Sequence, residues 1–61
     1  MPEITNHDKL ACAGREVRMR KRAYPRWVEY GRMTKQEADR EIAIMEAIEC
    51  DYAAKIQPGL I

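Results

Sequence analysis

A stop signal and a start signal stand back to back at the middle of this chain, and together they dictate its architecture. Gly31 is the residue type that accepts the left-handed conformation at a helix end, and Thr34 is a preferred helix N-cap. Thr34-Lys35-Gln36-Glu37 has the form of a capping box, in which the threonine hydroxyl and the glutamate carboxylate each satisfy a free backbone N–H. Met33, one residue before the cap, is spaced to pack on Ala38 as a hydrophobic staple. A helix must therefore end near Gly31 and another begin near Lys35, with only a tight turn between them.

The outer ends are marked less strongly. Thr5 is placed to cap a helix starting near Asn6, with Asp8 adding negative charge at the positive end of its dipole. Gln57-Pro58-Gly59 is expected to stop the second helix and leave Leu60 and Ile61 as an apolar tail. Pro25 interrupts the first helix. It has no N–H to bond the Lys21 carbonyl and disfavours helical angles at Tyr24, so the expectation is a helix to about Ala23, then a kinked continuation or a separate short turn to Tyr30. No strand pattern, internal repeat or low-complexity stretch is present. The fold class is all-α: a single domain, residues 1–61, forming an antiparallel helical hairpin with a kink or break at Pro25.

On a helical wheel, Leu10, Ala13, Val17, Tyr24 and Val28 share one stripe of the first helix, flanked by Cys12, Met19, Ala23, Trp27 and Tyr30. The second helix carries Ala38, Ile42, Met45, Ile48, Tyr52 and Ile56 on one stripe, with Ile44 at its edge. Opposite lies a row of small residues, Ala43, Ala47, Cys50 and Ala54, which reads equally as good helix formers or as room for another helix. Leu10, Val17, Ile42, Met45, Ile48 and Tyr52 are the expected core. These apolar arcs are wider than two helices can hide from water on each other. A chain of 61 residues has in any case only a marginal core of its own. Self-association into a dimeric four-helix bundle is the economical resolution, and a different protein covering the surplus is the other.

The near-neutral total of +1 conceals an asymmetry. Residues 7–33 carry eight basic side chains against three acidic, a net of +5; residues 34–56 carry three basic against six acidic, a net of −3. Arg15, Arg18, Arg22 and Arg26 follow helical spacing and form a ladder opposite the apolar arc. Guanidinium groups in a row suit neighbouring phosphates, so nucleic acid is one candidate partner. They suit an acidic protein surface equally, with Tyr24, Trp27 and Tyr30 as interface anchors. A solvated face, or pairing with the acids of the second helix, is the plain alternative. The pI of about 7.8 lies below the range typical of nucleic-acid domains.

Catalysis finds little support. The chain has no serine, and its one histidine, His7, is five residues from Cys12 on a different helical face. Carboxylate pairs at helical spacing, Glu37 with Glu41 and Glu46 with Glu49, are ordinary on a solvated helix. No glycine-rich phosphate loop occurs. Two cysteines and one histidine without a Cys-x-x-Cys give no zinc pattern, and neither metal nor cofactor is expected. Cys12 and Cys50 are equidistant from Gly31, so a hairpin sets them at one level; they are expected to be reduced, partly buried and unbonded. No basic start with an apolar run follows Met1, and no stretch is long enough to span a membrane, so a cytoplasmic location is expected.

Cys12-Ala13, Arg15-Glu16-Val17, Met19-Arg20, Tyr24-Pro25, Trp27-Val28, Gly31-Arg32-Met33, Ala38, Glu41-Ile42, Met45-Glu46-Ala47-Ile48 and Asp51-Tyr52 together resemble small hypothetical proteins of tailed phages and prophages of proteobacteria. The resemblance runs from about Leu10 to Tyr52. It implies an accessory factor in the host cytoplasm that binds host or phage machinery, for instance as an inhibitor or modulator of a nucleic-acid-processing or defence complex. It carries over no catalytic residue. The sequence thus points to a protein-binding accessory protein, with direct nucleic-acid binding and a purely structural oligomerisation module as the alternatives.

Overall fold

The computed structural model describes residues 2–56, which form two helices, α1 (Asn6–Glu29) and α2 (Lys35–Ile56), packed against each other as a hairpin. The Gln57-Pro58-Gly59 stop lies outside the described residues.

Each helix opens on a reciprocal cap. At α2 the Glu37 N–H donates to Thr34 Oγ1 at 3.0 Å and the Thr34 N–H donates to Glu37 Oε1 at 2.8 Å. At α1 the Asp8 N–H donates to Thr5 Oγ1 at 3.1 Å and the Thr5 N–H donates to Asp8 Oδ2 at 3.0 Å. The shorter aspartate thus closes a full capping box at α1, a larger role than the dipole charge read from the sequence. These hydrogen bonds to backbone and hydroxyl stabilise the ionised forms, so both the Asp8 and Glu37 carboxyls titrate below the usual carboxylate range.

The turn follows from Gly31, whose φ of +75° is the left-handed value a side chain would resist. Its N–H donates to the Val28 carbonyl at 3.1 Å, and the Arg32 N–H reaches the Trp27 carbonyl at 2.8 Å. This nested pair is a Schellman motif, which closes the last turn of α1 and aims the chain back along it.

Pro25 neither breaks nor ends α1. Of the two outcomes expected there, the separate turn is corrected: α-helix runs through Pro25 to Glu29. Proline deletes one hydrogen bond, to the Lys21 carbonyl, while the helix regains its ladder one turn later, where the Tyr30 N–H donates to the Arg26 carbonyl at 2.9 Å. Beside Pro25 the helix is anchored at the seam by buried Tyr24, opposite buried Ala38, while Pro25, Val28 and Ile42 line a small open cleft of about 230 Å³.

The seam is narrow. Ala13, Gly14, Val17 and Tyr24 of α1 and Ala38 of α2 are buried, and among the described residues no large side chain is fully removed from solvent. Leu10, Ile42, Met45 and Tyr52 are half-buried along it, as is Met33 beside the cap. Ile48, expected in the core, lies 38% exposed on the flank. Its neighbour Glu49 is the half-buried one, because the seam of α2 keeps a strict alternation of four and three through residues 38, 42, 45, 49, 52 and 56. Glu49 is accommodated by Gly14 opposite: a Cβ at position 14 would sit 3.0 Å from Glu49 Oε2.

Candidate interaction surface

The hairpin spends some of its charges internally and leaves others free. Arg20 is the central cation of the interhelical contact. Its Nε donates to Glu16 Oε1 at 2.9 Å and its Nη1 to the Glu41 backbone carbonyl at 2.8 Å, with the guanidinium 5.8 Å from the Tyr24 ring centre. The Glu41 carboxylate lies farther out, at 3.9 Å. The hydrogen bond to Glu16 raises the affinity of Arg20 for its proton. Lys21 pairs across the hairpin with Glu46 at 2.8 Å, and that hydrogen bond holds its ammonium protonated to higher pH than usual.

Arg15, Arg18, Arg22 and Arg26 are exposed, and among the described residues none of them forms an ion pair or a side-chain hydrogen bond. The α1 cations used by the acids of α2 are therefore Arg20 and Lys21, which border the seam, while Lys35 of α2 pairs within its own helix with Asp39. The four ladder arginines lie about 120 to 160° around α1 from Arg20, with their Cα atoms spread over about 16 Å of the axis. Met19 is 38% exposed and Tyr30 72% exposed, and both fall beside Arg26 on the same wheel. The outer surface of α1 is thus a cationic strip edged by apolar groups.

The three aromatic anchors read from the sequence separate in the fold. Tyr24 is corrected: at 8% exposure it belongs to the seam, where its ring stacks on Trp27 at 5.1 Å between centroids, and it is not available to a partner. Trp27 keeps one exposed edge, on the side of the hairpin that carries Arg20. Tyr30 alone stands beside the ladder. Sequence reasoning missed Arg20, Gly14 and Glu49. The signal for Arg20 was present, since it lies four residues before Tyr24 and seven before Trp27, on the border of the apolar stripe.

Cys12 and Cys50 share a level, yet both are exposed and unbonded, on the outward sides of their helices. The partial burial expected for them is corrected. Around Tyr52, Lys9 Nζ lies 5.5 Å and Lys55 Nζ 4.9 Å from the ring centre, covering an aromatic at the open end of the hairpin. Among the described residues no cluster of His, Cys, Asp or Glu is placed to hold a metal ion, and no helix is long and apolar enough to cross a membrane. An open groove of about 630 Å³ lies between residues 2–4 and the first turns of α1, beside Asp8, Lys9 and Cys12.

The fold and its surface define a class, a two-helix hairpin with an unpaired cationic helix face. No family model, curated protein or solved structure matches the chain.

Proposed function

We propose that this chain is a self-associating accessory protein of the cytoplasm that works by binding an acidic surface on another protein through the outer face of α1. The observation that carries the reading is the unpaired arginine ladder. Six acidic side chains lie on α2, yet Arg15, Arg18, Arg22 and Arg26 stay unpaired while Arg20 and Lys21 take the interhelical contacts. Four exposed guanidinium groups on a short helix repel one another, and a partner carrying carboxylates relieves that repulsion. Met19 and Tyr30 beside the ladder favour a protein over a bare polyanion, because apolar and aromatic groups next to arginine are what protein interfaces use as anchors. The resemblance to small phage and prophage proteins supports the same style of action, on host or phage machinery and without catalysis.

The test is capture from a bacterial lysate by the tagged chain, compared with a variant in which all four ladder arginines are replaced by glutamine. The captured protein is expected to be acidic and to be lost with the variant; capture that survives the substitutions refutes the reading.

Phosphate is the second reading, favoured by the same unpaired ladder. Four phosphate contacts on a duplex predict affinity falling about 150-fold between 50 and 200 mM salt. Fluorescence anisotropy with duplex and single-stranded DNA measures it, and a flat salt response eliminates nucleic acid.

A further inference from the structure

We infer that the acidic partner of the arginine ladder is itself a helix, laid lengthwise on α1 with an apolar stripe against Met19, Ala23 and Tyr30 and carboxylates against Arg15, Arg22 and Arg26. The inference rests on the reading above that the ladder meets a protein, and adds the form of that partner and which arginines it engages.

Two rows at helix-packing period run along α1. The one turned to α2 passes through Leu10, Ala13, Val17 and Tyr24. A second keeps a strict alternation of four and three through Cys12, Glu16, Met19, Ala23, Arg26 and Tyr30, the period at which one helix packs along another. It lies about 130° around α1 from the first and runs for about 27 Å. Cys12, Met19, Arg26 and Tyr30 in it are exposed, and Ala23 is half-buried.

The arginines stand where such a packing uses charge. Arg15 and Arg22 each precede a member of the second row, Glu16 and Ala23, and side chains at those positions flank a helix–helix contact and pair with the incoming helix. Arg26 belongs to the row itself, between Ala23 and Tyr30, where a covered guanidinium needs a carboxylate opposite. Glu16, the acid in the row, is already bonded to Arg20 at 2.9 Å. Arg18 lies about 120° from the middle of the row, on the far edge of the ladder, and stays in solvent.

Backbone chemistry selects the partner's form. Apart from the Lys21 carbonyl opposite Pro25, the backbone of α1 bonds to itself and offers no edge to an extended chain. An incoming helix satisfies its own backbone while covering the apolar row. Charge complementarity makes the border of its stripe acidic, and a second copy of this chain does not supply that border. On α2, Glu37 is held in the cap, Asp39 by Lys35, and Glu41 and Glu46 by α1, while Glu49 is half-buried in the seam. Among the described residues this leaves Asp51 as the exposed α2 carboxylate without a partner, one charge against the ladder's four.

The probe is a fluorescein-labelled peptide of three heptads, with leucine at both seam positions and glutamate on both flanks, titrated with the full chain by anisotropy. Saturable, salt-weakened binding is expected, at least about tenfold tighter than to a peptide of the same composition with its leucines moved off the stripe, or to polyglutamate of the same length. Arg22→Gln and Arg26→Gln are each expected to weaken it at least about fivefold and Arg18→Gln less than about twofold, with helicity unchanged by circular dichroism. Equal binding of the three peptides, equal losses from Arg18 and Arg22, or no binding of the helical peptide overturns the helical partner. The ladder reading then stands or falls separately, on lysate capture by the four-arginine variant. Displacement of the peptide by duplex DNA at lower concentration than by unlabelled peptide overturns the inference in favour of phosphate. A dimer in sedimentation that Met19→Glu dissociates puts a second copy on the row and overturns it as well.

Discussion

Replacing Gly14 by alanine is expected to stabilise the hairpin, by an amount that Glu49 controls. Gly14 lies in the interior of α1 with a buried backbone, where glycine costs about 1 kcal/mol relative to alanine. The new methyl would stand 3.0 Å from Glu49 Oε2 and 3.5 Å from Arg18 Nη1. The first distance is shorter than ordinary contact, but the obstructing atom is the end of a flexible side chain that has no ion-pair partner among the described residues, so it can swing outward. Spending part of the gain on that movement leaves about 0.5 kcal/mol, or about 2 to 4 °C in melting temperature for a domain of this size. In a Glu49→Ala background the obstacle is gone, and the same change is expected to return the full gain of about 1 kcal/mol, about 4 to 8 °C. The assay is a double-mutant cycle by thermal denaturation followed by circular dichroism, all four proteins at one concentration. If Gly14→Ala destabilises in both backgrounds, the helices meet at position 14 through their backbones, and the account of Glu49 as a seam residue fitted over a glycine is wrong.

Other consequences can be measured on the same samples. Because the folded-state carboxyls of Asp8 and Glu37 titrate below their unfolded values, their stabilisation is complete at neutral pH and is lost as pH falls through the folded values. Helicity should therefore decline in acid, less steeply in an Asp8→Asn, Glu37→Gln variant; an unchanged acid limb would refute the capping argument. Pro25→Ala restores a donor for the Lys21 carbonyl and should raise stability by up to about 3 kcal/mol, and a fall in melting temperature would mean that the proline ring contributes more packing than its missing bond costs. Arg20→Met removes the cation shared by Glu16 and the Glu41 carbonyl and should destabilise by about 1 to 3 kcal/mol, whereas Arg22→Met should stay within about 0.5 kcal/mol; equal effects would contradict the division between spent and free arginines. Both thiols should react with a thiol reagent in the native state, and mild oxidation should form no intrachain disulfide.

The helices were legible because their ends are written in local chemistry. A threonine followed three residues later by an acid, or a glycine after a run of helix formers, fixes a boundary through bonds that span only a few residues, and the turn from Tyr30 to Thr34 needs nothing else. Pro25 read as a possible break for the complementary reason. Its local cost is visible in the sequence, whereas the burial of Val17, Tyr24 and Ala38 against the facing helix, which offsets it, is tertiary. Ile48 was misplaced by the same blindness. A stripe drawn through the apolar residues favours isoleucine over the neighbouring glutamate, but the partner helix selects by period, and period puts residue 49 in the seam.

That selection by position, not by residue type, also accounts for which charges remain free. Arg20 and Lys21 border the seam and find Glu41 and Glu46 because an antiparallel hairpin turning at Gly31 sets those levels opposite one another. Arg22 is one residue further along but about 100° further around the helix, and no acid of α2 reaches that side. The +5 of the first half is therefore not neutralised by the −3 of the second merely because both fold into one hairpin. Geometry lets the acids of α2 pair with the α1 cations at the seam and leaves those of the outer face unpaired. Arginines held at three- and four-residue intervals beside Met19 and Tyr30 thus form one continuous cationic strip, which is the surface that the proposed acidic partner would have to match.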